Sequence, residues 1–450
     1  MSLENFFYKK IAMWILLLTI VFSFIFALFF GALVLKSTTA RNIASIPSLL
    51  KEIIFEFDHF VIDVDEFDDQ KGFKKVSNKS DDLSGYLLLS RFDYKKKRSI
   101  VELVEIKTEK ILNTWEPDIN KINSYSKLPE EVFFLRRDHS LHRYRMFHPL
   151  LLDNGDLIIH SSSPLVKLDI CSKVKWIVDD AYHHSNELDA EGNIWVPSWA
   201  YPIKTEGVSL DYNNKAVNAF EPFFHDDAIN KISNDGEVLF SKTVISILRE
   251  NNLEHLIFPV GENKDPIHLN DIQPALKDSK FWKKGDVFLS MRNISLVMLY
   301  RPSTNKIIWH QQFPWVNQHD VDIINNHQIS IFDNNSDDFL KAYVDGSNET
   351  LIYDFEKDEV FSPYREGYLK NEIKTKMEGL SEILKNGDIF VEETSHGRII
   401  RMDKKGNIKW QFVNREENGK IYKLNWSRFL DEESYAPVVK KINEKKCNEK

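Results

Sequence analysis

The chain has 450 residues, 42% of them hydrophobic, and carries a formal net charge of -9 with a pI of about 5.9. It is long enough to bury a large core, as one big β domain or two ordinary ones. An acidic balance without a long basic run argues against a nucleic-acid partner.

In chain order, residues 1–10 form a short N-terminal segment, and residues 11–35, "IAMWILLLTIVFSFIFALFFGALVL", carry no charge. As a helix this run would span about 38 Å, more than the roughly 30 Å hydrocarbon core of a bilayer. It is also longer than the about 7–15 apolar residues of a cleaved signal. One retained N-terminal transmembrane helix is therefore expected. Lys9 and Lys10 before the run and Lys36, Arg41 and Lys51 after it nearly balance, so charge gives no orientation. Residues 36–84 are polar and acid-rich and read as a stalk or lead-in.

From residue 85 to 414 the chain becomes short apolar runs separated by turn residues. One unit is "DNGDLIIHSSSPLVKLDICSKVKWIV", Asp153 to Val178, with a tight turn at Asn154-Gly155 followed by alternating strands. Similar units end at Trp115, Trp309 and Trp410, and two degenerate copies occupy about 193–240 and 328–361. The six units are each too small to bury both faces of a sheet alone, so they must pack on one another. Radial packing gives an all-β, six-bladed β-propeller. It accommodates varied unit lengths and large insertions better than a solenoid or a pair of sandwiches. A helix is expected only in "SPYREGYLKNEIKTKMEGLSEIL", before the last unit, and residues 415–450 read as a tail that closes the ring in part. Two cysteines, Cys171 and Cys447, lie far apart, the second in this charged tail, which argues against a disulfide or a thiolate metal site.

Repeats allow positions to be compared within one sequence. Counting eight residues back from the turn glycine, or from the residue in its place, gives His184, His319 and Gly379. His148 falls at seven, His268 occupies the same phrase ahead of a lengthened turn, and His225 is offset by three. Loops before inner propeller strands converge on the axis, so His184, His268 and His319 are expected to share a polar site, while His148 and His225 read as structural. Arg292, on the strand after the His268 loop, would keep these imidazoles neutral and grip an oxyanion. A zinc ion would be opposed by that cation, so no metal is expected.

The phrases "HHSNELDAEGNIWV", "HLNDIQP", "GDVFLSMRNIS", "QHDVDII", "ISIFDNN" and "NGDIFVEE" together resemble the bacterial arylsulfotransferase (arylsulfate sulfotransferase) family over roughly residues 85–414. The resemblance implies a six-bladed propeller that moves a sulfuryl group from a phenolic sulfate ester to a hydroxyl acceptor. It implies a ping-pong reaction through a sulfohistidine, without a nucleotide donor or any cofactor. By matching phrases, His268 would be the nucleophile, Asn270 its amide neighbour, Arg292 the sulfate-binding group, and His184 and His319 supporting histidines. His183 remains an alternative to His184, and Thr394 could also reach the axis. The family's habit places the propeller in the periplasm, with the N-terminus inside. The competing reading is a non-catalytic propeller that binds an anionic ligand or a protein partner at its axial mouth. A quinone-dependent dehydrogenase fits worse, because no acidic calcium cluster or adjacent-cysteine pair is present.

Overall fold

A computed structural model describes residues 13–27, 60–62, 67–77, 79, 81–126, 141–200, 226–257, 265–337, 343–445 and 447. The chain divides into two compact units, residues 1–59 with 211–222 and residues 60–210 with 223–450. The described part of the first unit is residues 13–27, an α-helix whose apolar side chains are exposed. The Thr19 hydroxyl in this helix donates to the Ile15 carbonyl at 2.7 Å, so it adds no unsatisfied polar group to the apolar surface. Among the described residues no helix is both long and apolar enough to cross a membrane. Residues 11, 12 and 28–35 of the expected span, and His225, lie outside the described residues.

The second unit is a six-bladed β-propeller. Blade 1 takes its innermost strand from the far end of the chain: Arg428–Leu430 pairs antiparallel with Tyr86–Asp93, which leads outward to Arg98–Glu105 and Lys110–Trp115. Blade 2 runs from Leu150–Leu151 through Leu157–Ile159 and Leu165–Leu168 to Val174–Val178. In blade 3, Ala181–Tyr182 and Glu187–Leu188 both pair with Ile194–Trp199, followed by Asp227–Ile232 and Val238–Thr243. Blade 4 holds Leu269–Pro274, Val287–Met291, Leu296–Arg301 and Lys306–Gln312. Blade 5 holds Val321–Ile323, Gln328–Asp333, Glu349–Asp354 and Glu359–Phe361. Blade 6 holds Leu380–Ile383, Ile389–Glu393, Arg398–Met402 and Ile408–Val413, with Gly72–Lys75 as an added outermost strand. Early and late segments of this unit are thus stitched together in the ring, Gly72 opposite Val413 and Tyr86 opposite Leu430.

Strand composition follows position. Middle strands such as "VFLSM" (Val287–Met291) are buried on both faces and, Ser290 apart, consist of large apolar residues. The outer strand Lys306–Gln312 alternates between more and less exposed residues. Buried apolar residues form one cluster at each junction between neighbouring blades; that between blades 3 and 4, for instance, joins Ile229, Ile247, Leu269, Leu289 and Met298. Each fully buried Leu or Ile contributes roughly 1.5–3 kcal/mol. Near the axis the junctions are also tied by buried carboxylates. Asp227 accepts from Leu269 N–H at 2.7 Å, Asp271 from Val321 at 3.1 Å, Asp320 from Ser381 at 3.1 Å, and Glu392 from Trp426 at 2.8 Å. Each satisfies an amide in, or just ahead of, the inner strand of the next blade that would otherwise be stranded away from water.

Two expectations are corrected. The helix foreseen before the last unit is only Arg365–Lys370, and the inner strand of blade 6 begins at Leu380. Gly379 stands between them at φ +96°, where a Cβ would meet Thr375 Cγ2 at 2.7 Å, so the chain turns there in a way a helix cannot. The cysteines, expected to be unpaired, form the disulfide Cys171–Cys447, with Cα atoms 5.5 Å apart across a separation of 276 residues. A C-terminal helix, Glu432–Glu444, brings them together. It is N-capped by Asp431 and buries Val438, Val439 and Ile442 in the apolar cluster between blades 1 and 2, carrying the charged tail back to the Cys171 turn.

Candidate active site

Just ahead of each inner strand, one non-glycine residue per blade adopts a left-handed conformation. These residues are His148, His184, His268, Asn317, Glu378 and Trp426, at φ +37°, +59°, +53°, +54°, +59° and +63° in blades 2, 3, 4, 5, 6 and 1. Such backbone is uncommon for residues with a Cβ and persists where the surroundings over-determine it. The ring it marks is the site. Three consecutive blades contribute histidine, and Trp426 packs edge-on to His148, His184 and His319 at ring separations of 5.4, 5.8 and 6.1 Å.

The structure brings His184, His268 and His319 together. The His184 ring lies 5.0 Å from that of His268 and 6.5 Å from that of His319. His319 is not the positional equivalent of His184, since Asn317 holds the left-handed place and His319 follows two residues later. Its two nitrogens are both engaged: Nδ1 meets Asn334 Oδ1 at 2.6 Å, and Nε2 accepts the Glu378 amide at 3.0 Å. His268 differs. Its Nδ1 is bonded to Asp265, the hydrogen bond its ring makes among the described residues. Asp265, absent from the sequence-level site, therefore fixes the ring so that the Nε2 lone pair is available.

Arg292 begins the hairpin turn after Val287–Met291, and its amide donates to the His268 carbonyl at 3.0 Å. The next residue, Asn293, ties the turn to the Asp265 carbonyl at 2.6 Å. The guanidinium is buried and disfavours protonation of both His268 and His319. Asn270 lies inside the inner strand of blade 4, past a bulge between Leu269 and Asp271. Its amide nitrogen donates to the Gln318 carbonyl at 3.0 Å, while its buried oxygen has no partner among the described residues.

The His183/His184 ambiguity is resolved in geometry: His184 faces His268 and His319, and His183 lies behind it with Nε2 at 3.1 Å from Asp227 Oδ1. Thr394 is buried and donates to Glu392 at 2.7 Å, the carboxylate that holds the Trp426 amide, so it braces the Trp426 loop. His148, read as structural, stands in the ring itself. His160 was missed altogether; it is fully buried behind the ring, and neither ring nitrogen has a partner among the described residues. Trp426 and Glu378 were missed too, because they occupy the histidine position without being histidines. Glu378 is gripped by Arg145 through two bonds of 2.6 and 2.8 Å.

Burial sets the protonation states. It holds His148, His184 and His319 well below the ordinary 6.5, and takes His160 and His183 down to about 3. Burial acts the same way on His268, but the Asp265 carboxylate outweighs it and raises that imidazole above 6.5. In a proton NMR titration, His268 is expected to change charge above pH 6.5 while His160 and His183 stay neutral down to about pH 5. Asp265→Asn should send His268 below 6.5, and an unmoved His268 would refute the pairing. The linkage signs are opposed. His268 contributes stability below its unfolded value that is lost as pH rises through its folded one. Its five neighbours lose stability as pH falls below 6.5.

A propeller that gathers neutral imidazoles, one Asp-bound imidazole and a buried guanidinium over its axis defines a class of enzyme-like scaffold suited to a small oxyanion. The model of the arylsulfotransferase (ASST) family matches residues 148–415, more than half of the chain, and the chain belongs to that family. No curated protein is significantly similar to it in sequence. Among solved structures, a protein of unknown function from Bacteroides caccae is 11% identical with a TM-score of 0.46, covering 77% of this chain and 99% of that one. The hydrazine synthase of Kuenenia stuttgartiensis is 10% identical with a TM-score of 0.41, covering 74% and 80%. The virginiamycin B lyase of Staphylococcus aureus is 9% identical with a TM-score of 0.36, covering 75% and 86%.

Proposed function

We propose that the protein transfers a sulfuryl group from an aryl sulfate to a hydroxyl acceptor in two steps, with His268 as the covalent carrier. The observation that carries this reading is the His268 ring, tied to Asp265 through Nδ1 and open at Nε2 beside His184 and Arg292. In the first step the Nε2 lone pair forms a bond to sulfur, and the sulfur–oxygen ester bond breaks with its electron pair leaving on the phenolate. In the second step the acceptor oxygen bonds to sulfur, the nitrogen–sulfur bond breaks back to Nε2, and the hydroxyl proton passes to a base. Arg292 holds the sulfuryl oxygens while charge moves through sulfur, the electrostatic role that dominates the related phosphoryl transfers. His319 has both nitrogens occupied and serves as packing and orientation, which leaves His184 for proton transfer.

Incubation with 4-nitrophenyl sulfate and a phenol should release nitrophenolate, and peptide mapping after quenching without acceptor should find the added sulfuryl mass on His268. A protein inert across a broad donor panel, yet able to bind sulfate, would instead be the non-catalytic anion-binding propeller.

The uncharged run of residues 11–35 and the exposed apolar helix over 13–27 support a membrane anchor, and the Cys171–Cys447 disulfide supports an oxidising compartment for the propeller. We place it on the outer side of the membrane. Both cysteines should resist maleimide on protein from alkylated, unreduced cells and react only after reductant. Thiols reactive from the start would put the propeller inside.

A further inference from the structure

We infer that His183 and Asp227 are positioning residues that hold His184 as its Nδ1–H tautomer, so that the bare Nε2 of His184 is the base for the acceptor hydroxyl. The base role rests on the sulfuryl-transfer reading above, whereas the tautomer stands on geometry alone. His183 Nδ1 and His184 Nδ1 are 2.7 Å apart, a separation that accommodates one proton between two nitrogens. Which nitrogen supplies it is decided on the other side of His183. There Nε2 lies 3.1 Å from Asp227 Oδ1, and Asp227, which already takes the Leu269 amide, faces the pair as an acceptor. His183 therefore carries its proton on Nε2 and offers a lone pair at Nδ1, and His184 must donate from Nδ1.

Burial holds this arrangement in place. His183 is 3% and Asp227 0% exposed, so water cannot supply substitute partners. Burial, with Asp265 nearby, raises the pKa of Asp227, while the Leu269 and His268 amides aimed at it favour the carboxylate that accepts from His183. The second oxygen of Asp227 takes the Leu269 amide at 2.7 Å, next to His268. One carboxylate thus anchors both the histidine pair and the loop of the sulfuryl carrier. In the transfer step the acceptor oxygen bonds to sulfur, the electron pair of the nitrogen–sulfur bond returns to His268, and the hydroxyl proton moves to His184 Nε2. Acceptors that remain un-ionised at neutral pH, such as simple phenols, need this base. Acceptors already present as phenolates do not.

The test is nitrogen–proton correlation NMR on the ¹⁵N-histidine-labelled protein, paired with half-reaction kinetics. Wild type should show His184 protonated at Nδ1. His183→Gln, whose carbonyl can accept that proton, should retain the tautomer, and His183→Phe should shift it to Nε2–H. With His183→Phe, transfer to un-ionised phenol should slow about 100-fold more than nitrophenolate release, with the deficit shrinking for acidic acceptors, and His183→Gln should recover most of it. An Nε2–H His184 in wild type would overturn the inference, as would equal slowing of both half-reactions. If wild type transfers nothing, the sulfuryl reading fails, while the NMR arm still decides the tautomer.

Discussion

Replacing His268 with Ala is expected to abolish nitrophenolate release and acceptor sulfation together, by a factor on the order of 10⁴ or more. Loss of a covalent carrier removes both half-reactions, because no other described imidazole in the ring has a carboxylate hydrogen-bonded to Nδ1; Glu187 stands 3.8 Å from His148 Nδ1, beyond hydrogen-bond reach. The half-buried ring is not a core filler, so folding should survive the change. In the wild type, the first half-reaction should gain rate as pH rises through the elevated His268 pKa, since the neutral form attacks. Stoichiometric nitrophenolate release by His268→Ala, with the sulfuryl mass found on His319 instead, would reassign the carrier.

The second large effect is expected at Arg292. Its replacement by Ala should slow both half-reactions by about 10²–10³-fold, the range seen when one preorganised donor to a developing charge is lost. Lys should recover only part of this, because an ammonium offers a point charge where the guanidinium offers a planar fork. The same change removes a cation that disfavours protonation of His268 and His319, so both imidazoles should titrate higher in Arg292→Ala. Measuring kcat and these titrations in one variant checks both roles. An Arg292→Ala enzyme of unchanged kcat and raised KM would reduce the residue to uniform substrate binding.

The propeller and its six units were legible because turn residues and apolar alternation recur whenever a small sheet must be covered on both sides. The convergence of His184, His268 and His319 was legible from the same repeats. What the repeat arithmetic misjudged was register. Counting back from turns assumes inner strands of equal length, yet the bulge at Leu269/Asp271 and the late start of blade 5 move His268 and His319 by different amounts. Asp265 and Asp227 were hidden for another reason: 68 acidic residues give the eye no cue to which two are buried behind imidazoles. The "D-P-I-H" spacing was the available signal for Asp265. Trp426 and Glu378 could have been found only by asking which residue fills the histidine place in blades without one. The disulfide was illegible because its partners meet through the packing of a helix, not through any local motif.

The interleaving of the two termini has a consequence for how the molecule comes into being on the ribosome. Blade 1 waits for Arg428–Leu430, and Trp426, which touches three of the histidines, emerges in the same late stretch. A nascent chain can complete blades 2 to 5 while the histidine ring still lacks Trp426. On the proposed sulfuryl transfer, competence is acquired only once this stretch has emerged, and a product stopped before Trp426 is expected to be inert and not merely slow.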